Sequence, residues 1–184
     1  MIRRLYLIRH AAVELEEGVP APEWQLTPAG RAAAGRLARS QAWRELTLIA
    51  TSPEPKARGT AEPIATAAGL ELREEPDLRE VSRERTPILA RADYVALVER
   101  YLAGDAVAGW ESGQLARRRV ASCIARLVRD AAGPCAVVSH GLVLSLYLGL
   151  AVADWQAITL PAVAVVDADT DTLLQPFASV EELE

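Results

Sequence analysis

The sequence predicts a single α/β domain of 184 residues: a three-layer α/β/α sandwich around a mostly parallel sheet with an antiparallel edge strand. Three observations predict it. Short apolar runs alternate with helix-length amphipathic segments, and strands joined by helical crossovers lie parallel with the helices covering both faces of the sheet. The last two apolar runs are separated only by the turn Ala168–Asp171, too short for a crossover, so they pair antiparallel at an edge. No repeat, low-complexity stretch or linker divides the chain, and its length suits one domain with a real core.

Arg4–Ile8 reads as the first strand, followed by a loop through Gly18 and Pro20. Thr27-Pro28 opens a helix expected to run to Trp43, with Thr as N-cap and proline at the first helical position, where its missing N–H costs nothing. Leu46–Ala50 is a second strand. Thr51-Ser52-Pro53 offers another cap-and-proline start, for a helix through Ala68 that Gly69 ends. Leu70–Arg73 reads as a short strand and Pro76–Pro87 as a loop. Arg91–Ala103 is a helix closed by Gly104. Ser112 is the expected cap of the most clearly amphipathic helix, with Ala116, Val120, Cys123, Ile124, Leu127, Val128 and Ala131 on one stripe. Ala136–Ser139 is a strand, Gly141–Leu150 a helix, and Ala162–Asp167 and Thr172–Gln175 the closing strand pair.

Composition narrows the function. Hydrophobic residues make up 51% and charged residues 24%, the profile of a globular protein. A net charge of −5 with scattered basic residues argues against nucleic acid as partner. Arg117-Arg118-Arg119 reads as a solvated helix face rather than an anion site. Cys123 and Cys135 follow no metal-ligand spacing and read as reduced core residues. The apolar run Leu5–Ile8 is shorter than the roughly 7–15 residues of a secretory signal. No stretch reaches the roughly 20 apolar residues of a membrane span. The expectation is a cytoplasmic protein with no membrane partner.

The chemistry gathers at strand ends. The chain has two histidines. One follows Leu5-Tyr6-Leu7-Ile8 in Arg9-His10; the other follows Ala136-Val137-Val138 in Ser139-His140-Gly141. Imidazole suits the transfer of a charged group near neutral pH, and the carboxyl ends of the strands are where open α/β sheets bind ligands. Thr51–Ala61 adds a third strand end turning into a helix, whose N-terminus favours an anion, with Lys56 in its first turns. The loop Pro76-Asp77-Leu78-Arg79-Glu80 adds a carboxyl group that a nearby phosphate and burial would make a better acid.

Together these pieces resemble the histidine phosphatase superfamily, the phosphoglycerate mutase-like group. Its Arg-His-Gly appears as Arg9-His10-Ala11, and its Leu-Thr-x-x-Gly as Leu26-Thr27-Pro28-Ala29-Gly30. Its Ser-Ser-Pro-Leu-x-Arg-Ala-x-x-Thr-Ala corresponds to Thr51 through Ala61, its Leu-x-Glu to Leu78-Arg79-Glu80, and its Gly-Glu-Ser resembles Gly109-Trp110-Glu111-Ser112. Ser139-His140-Gly141 is present outright. The order matches the family over essentially the whole chain. The resemblance implies a metal-independent, cofactor-free phosphomonoesterase of the histidine acid type acting on a small phosphorylated metabolite. His10 would carry a phosphohistidine; Arg9, Lys56 and His140 would bind the phosphoryl oxygens, with His140 also counted as catalytic; Glu80 would be the acid and then the base. A lid spanning about 80–111 would choose the substrate, with Trp110 and Tyr94 either lining the mouth or packing the lid.

Three departures bear on this. Ala11 replaces a glycine, as in the short phosphohistidine-phosphatase branch. Lys56 replaces an arginine, exchanging a bidentate grip for a point charge; a lost charged hydrogen bond of about 1.5–3 kcal/mol would make a slow enzyme, and Lys56→Arg should then raise turnover. The loop after His10 has Ala12-Val13-Glu14-Leu15-Glu16 where many members carry Thr and Asn, which would repel strongly anionic substrates. A mutase is disfavoured by the short chain and by Val81-Ser82-Arg83-Glu84-Arg85, which lacks the glycine-rich continuation. A protein phosphohistidine phosphatase and a weak phosphate-binding or interaction module remain alternatives. A nucleotide-binding Rossmann domain is not supported, since no G-x-G-x-x-G follows a strand. The C-terminal edge strand offers a surface through which a homodimer could form.

Overall fold

A computed structural model describes residues 2–83 and 88–179. Six strands form one sheet: β1 (Arg4–Arg9), β2 (Leu48–Thr51), β3 (Leu72–Glu74), β4 (Cys135–Ser139), β5 (Ala162–Asp167) and β6 (Thr172–Ala178), in the order β3-β2-β4-β1-β5-β6. β1 to β4 are parallel. β5 runs antiparallel to β1 as well as to β6, so the reversal lies one strand further in than the edge. The helices are α1 (Pro28–Leu37), α2 (Pro55–Ala68), α3 (Arg91–Leu102), α4 (Gly113–Asp130), α5 (Gly141–Leu148) and α6 (Val152–Ala157).

Strand alternation sorts the core into two layers. Leu5, Leu7, Ala50, Cys135 and Val137 face one side and pack with Val120, Ile124 and Leu127 of α4 and Leu142 and Val143 of α5. Tyr6, Ile8, Ile49, Ala136 and Val138 face the other side and pack with Ala57, Ala61 and Ile64 of α2. The buried stripe of α4 is the one its periodicity predicts. Cys123 and Cys135 are buried free thiols, both pushed up to about 11, first by burial.

Several boundaries differ from the expectation, each for a local reason. α1 ends at Leu37 rather than reaching Trp43, because the Trp43 indole N–H donates to the Leu37 carbonyl at 2.6 Å and tucks the ring against Tyr6. The segment Gln41–Glu45 is instead a 3₁₀ turn, with Ser40 Oγ accepting from the Ala42 N–H. Thr27 does cap α1, its Oγ1 accepting from Gly30 N–H at 2.8 Å. α2 begins two residues later than predicted: Pro55, not Pro53, takes the first turn, and Glu54 is the N-cap residue without a capping side chain. Ser112 stands at the N-cap of α4 but its side chain makes no capping bond. α6, a helix of only six residues, gave no periodic signal strong enough to read. The expected loop at Pro76–Pro87 includes a 3₁₀ turn, Pro76–Leu78; its residues 84–87, also within the lid expected over 80–111, lie outside the described residues. Of the arginine run, Arg117 and Arg118 are exposed. Arg119 corrects the reading of a solvated face: it is about a tenth exposed and pairs with both Glu111 oxygens and the carbonyls of Asp77 and Arg79.

Candidate active site

The two histidines meet because their strands are neighbours. Arg9 on β1 is in register with Ser139 on β4, and the His10 N–H donates to the Ser139 carbonyl at 3.0 Å. The next residue along each strand is a histidine, and the two rings stand 5.2 Å apart, centroid to centroid. β2 lies on the other side of β4, and the Ser52 N–H donates to the Val138 carbonyl at 3.0 Å, bringing the start of α2 to the same point.

His10 is buried with its Nδ1 2.7 Å from the Ala11 carbonyl. A carbonyl can only accept, so Nδ1 carries the proton and Nε2 keeps its lone pair. Burial lowers the His10 pKa to about 3, despite that bond, with Lys56 and Arg9 pushing the same way. The ring is therefore neutral across the ordinary pH range and oriented as a nucleophile needs to be. His140 is fully buried, and burial again holds it well below the usual histidine range, reinforced by charged neighbours including Lys56 and Arg83. Its Nε2 lies 2.8 Å from Ser52 Oγ and 3.4 Å from Glu54 Oε1.

Arg9 crosses the face of Gly141: a Cβ there would come within 2.9 Å of its Nε. The guanidinium is anchored at one end, where Nη1 donates to the Ile158 carbonyl at 2.5 Å. Burial is the main influence on it and lowers its pKa, opposed by Glu80. Two buried polar side-chain atoms among the described residues have no hydrogen-bond partner, Arg9 Nε and His140 Nδ1. Both belong to this site.

Glu80 is held at the N-terminus of α5. Its Oε1 accepts from the backbone N–H of Val81 and Val143, both at 2.9 Å, and its Oε2 from that of Leu142 at 3.2 Å. This is the anion-favouring end of a helix, so the carboxylate is fixed rather than free. Lys56 is buried, donating to the Ala21 carbonyl at 2.7 Å and to Glu54 Oε2. Arg58 points away, paired with Glu62 and Glu74, and so does not share the site with Lys56.

Glu54 was missed in the sequence. Its Oε1 also accepts from the Glu80 N–H at 2.8 Å, so one carboxylate touches Lys56, the Glu80 backbone and His140. Burial raises its pKa against the pull of Lys56. The signal was present: position 54 carries a glutamate where the matched element has leucine, two residues from a lysine where it has arginine. Glu14 and Glu16, the carboxylates expected to repel anions, are exposed. Tyr94 and Trp110 stand 6.0 Å apart with the Arg83 guanidinium over both rings, and Arg83 donates to the Tyr94 hydroxyl at 2.6 Å. No group of three or more His, Cys, Asp or Glu side chains among the described residues is placed to hold a metal.

Paired histidines at adjacent strand ends, with an arginine and a helix-anchored glutamate, thus gather at one edge of the sheet of an α/β protein. The sequence profile of the histidine phosphatase superfamily (branch 1) matches residues 5–172, and the chain belongs to that family. No curated protein matches it. Among solved structures, it is similar to a mycobacterial glucosyl-3-phosphoglycerate phosphatase in complex with inorganic phosphate (24% identity, TM-score 0.75, covering 97% of this chain and 99% of that one). It is also similar to YhfR from Bacillus stearothermophilus (19%, 0.76, 98% and 99%). The third is an alpha-ribazole phosphatase from Shigella flexneri (19%, 0.70, 96% and 96%).

Proposed function

We propose that the protein is a metal-independent phosphomonoesterase that hydrolyses a small phosphorylated metabolite through a phosphohistidine on His10. The observation that carries this is the His10 ring, neutral, with its proton fixed on Nδ1 by the Ala11 carbonyl and set against His140. Nε2 of His10 attacks phosphorus as the bond to the leaving oxygen breaks, and Glu80 gives that oxygen a proton. Water then attacks the phosphohistidine, the N–P bond breaks, and Glu80 takes the proton from water. Arg9, Lys56 and His140 hold the phosphoryl oxygens, where charge spreads in the transition state. The substrate class draws support from the phosphatases among the structural relatives.

A second reading, a weak phosphate-binding module of the same fold, is favoured by the Glu54–Lys56 pair, which ties up one of the pocket's cations. Hydrolysis of an aryl phosphate, with chelator present, separates the two. Turnover that survives chelator and falls at least a thousandfold in His10→Ala supports the esterase. Full turnover in His10→Ala overturns the phosphohistidine. No turnover from wild type that still binds vanadate favours the module. A panel of small esters run beside a phosphorylated carrier protein then separates a metabolite phosphatase from a protein phosphohistidine phosphatase.

A further inference from the structure

The proposed hydrolysis needs nothing from Glu54, yet its carboxylate is buried among the groups that would hold the phosphoryl oxygens. It binds Lys56 through Oε2, and Oε1 accepts from the Glu80 N–H and lies 3.4 Å from His140 Nε2. Arg9 and Lys56 are the positive groups here, and both histidines are neutral. Glu54 offsets Lys56 through their ion pair, so even with Glu80 carrying the proton it gives in the first step, Arg9 alone is left to balance the incoming phosphate. A phosphate ester near neutral pH brings close to two negative charges, into a site whose low polarisability magnifies repulsion from a carboxylate.

We propose that Glu54 couples phosphoryl binding to proton uptake: the site takes the phosphate dianion together with one proton, which resides on Glu54. This rests on the phosphatase reading in placing the phosphoryl group between His10 and His140. Protonation removes the carboxylate's repulsion and releases Lys56 Nζ from its ion pair to the phosphoryl oxygens. The groups facing Glu54 are Lys56 from α2, Glu80 from the loop after β3, and His140 from the β4–α5 junction, with His10 and Arg9 of β1 beyond; the turn at Ala21–Glu23 contributes the Ala21 carbonyl to Lys56. Burial, the largest influence, already raises the Glu54 pKa before any anion arrives, against the opposition of Lys56 and of the bond from the Glu80 N–H, while charge on the Glu80 side chain acts in the same sense as burial. The consequence is an affinity for phosphate that weakens as pH rises, by up to about tenfold per pH unit.

Calorimetry of inorganic phosphate binding at pH 7.5, in two buffers of different protonation enthalpy, counts the protons taken up. Wild type should take up close to one more proton than Glu54→Gln, whose amide imitates the protonated acid. Glu54→Gln should bind phosphate about tenfold or more tightly at that pH, with the gap narrowing toward pH 5. Equal proton counts in the two proteins overturn the proposal while leaving the hydrolysis reading intact. Glu80→Gln gives an independent arm should Glu54→Gln not fold: uptake that persists there supports Glu54, and uptake lost there assigns the proton to Glu80 and overturns it. Phosphate that binds at no pH from 5 to 7.5 overturns this proposal and the phosphatase reading together.

Discussion

Lys56 and Glu54 are 6% and 8% exposed at their side chains, so each is the other's main compensation for leaving water. Removing one partner of a buried pair typically costs about 3–5 kcal/mol, whereas replacing both by apolar groups is often neutral. Lys56→Met is therefore expected to lower the urea midpoint of unfolding sharply, and adding Glu54→Leu should restore most of it; a double variant no more stable than the single would show that the pair carries no such debt. At this scale the meeting of His10 and His140 was legible because each directly follows a strand, whereas Glu80, six residues past the end of β3, was legible only through the Leu78-Arg79-Glu80 pattern of the resemblance. Glu54 was not. A glutamate before a helix looks like an ordinary solvated N-terminal residue, and only the approach of the Glu80 backbone and His140 makes it an interior group.

The elements act as brackets for these groups, and Gly141 shows how closely. It begins α5 directly after His140, and a methyl group on it would press on Arg9 Nε and Cζ at 2.9 and 3.0 Å. An arginine side chain can swing aside, so Gly141→Ala should keep the fold and displace the guanidinium. The expected result is a thermal midpoint changed by only a few degrees, with phosphate affinity reduced ten- to a hundredfold, the equivalent of about 1.5–3 kcal/mol for a charged hydrogen bond. Wild-type affinity in this variant would mean that Arg9 does not touch the phosphate. Most elements were legible from period and punctuation: the α4 stripe, the Thr27 cap and the closing antiparallel pair all stand where the pattern puts them. The start of α2 was misplaced because Pro53 and Pro55 both suit a first turn. Local sequence cannot choose between them; the inward turn of Glu54 and the bond that its N–H donates to Ser52 Oγ belong to the tertiary structure.

For the whole molecule, the two neutral histidines set an acid limit. In the unfolded chain each takes a proton near pH 6.5, while the folded protein holds His10 neutral down to about 3 and His140 well below its usual range. The unfolded state then binds more protons between those limits, so stability is full above about pH 6.5 and falls as pH drops toward 3, by up to about 1.4 kcal/mol per unit for each histidine. Glu54, raised by burial, works the other way near the carboxylate range and blunts the lower end. A thermal midpoint that is flat from pH 7 to pH 4 would refute this; a fall that shrinks in His10→Gln would support it. The layer order was legible because helices and strands alternate, but the order of strands within the sheet was not, since it depends on which crossover passes which. That order has a consequence for synthesis. β1 and β2 leave the ribosome early, yet they never touch; β4 fills the gap between them. Until residues 135–139 emerge, the nascent chain carries two half-made sheet fragments with bare inner edges, which are templates for pairing with other chains. The strand that delivers His140 is also the one that closes this gap, so the event that joins the two parallel fragments is the one that first brings the two histidines together, with β5 and β6 added to the far side of β1 afterwards.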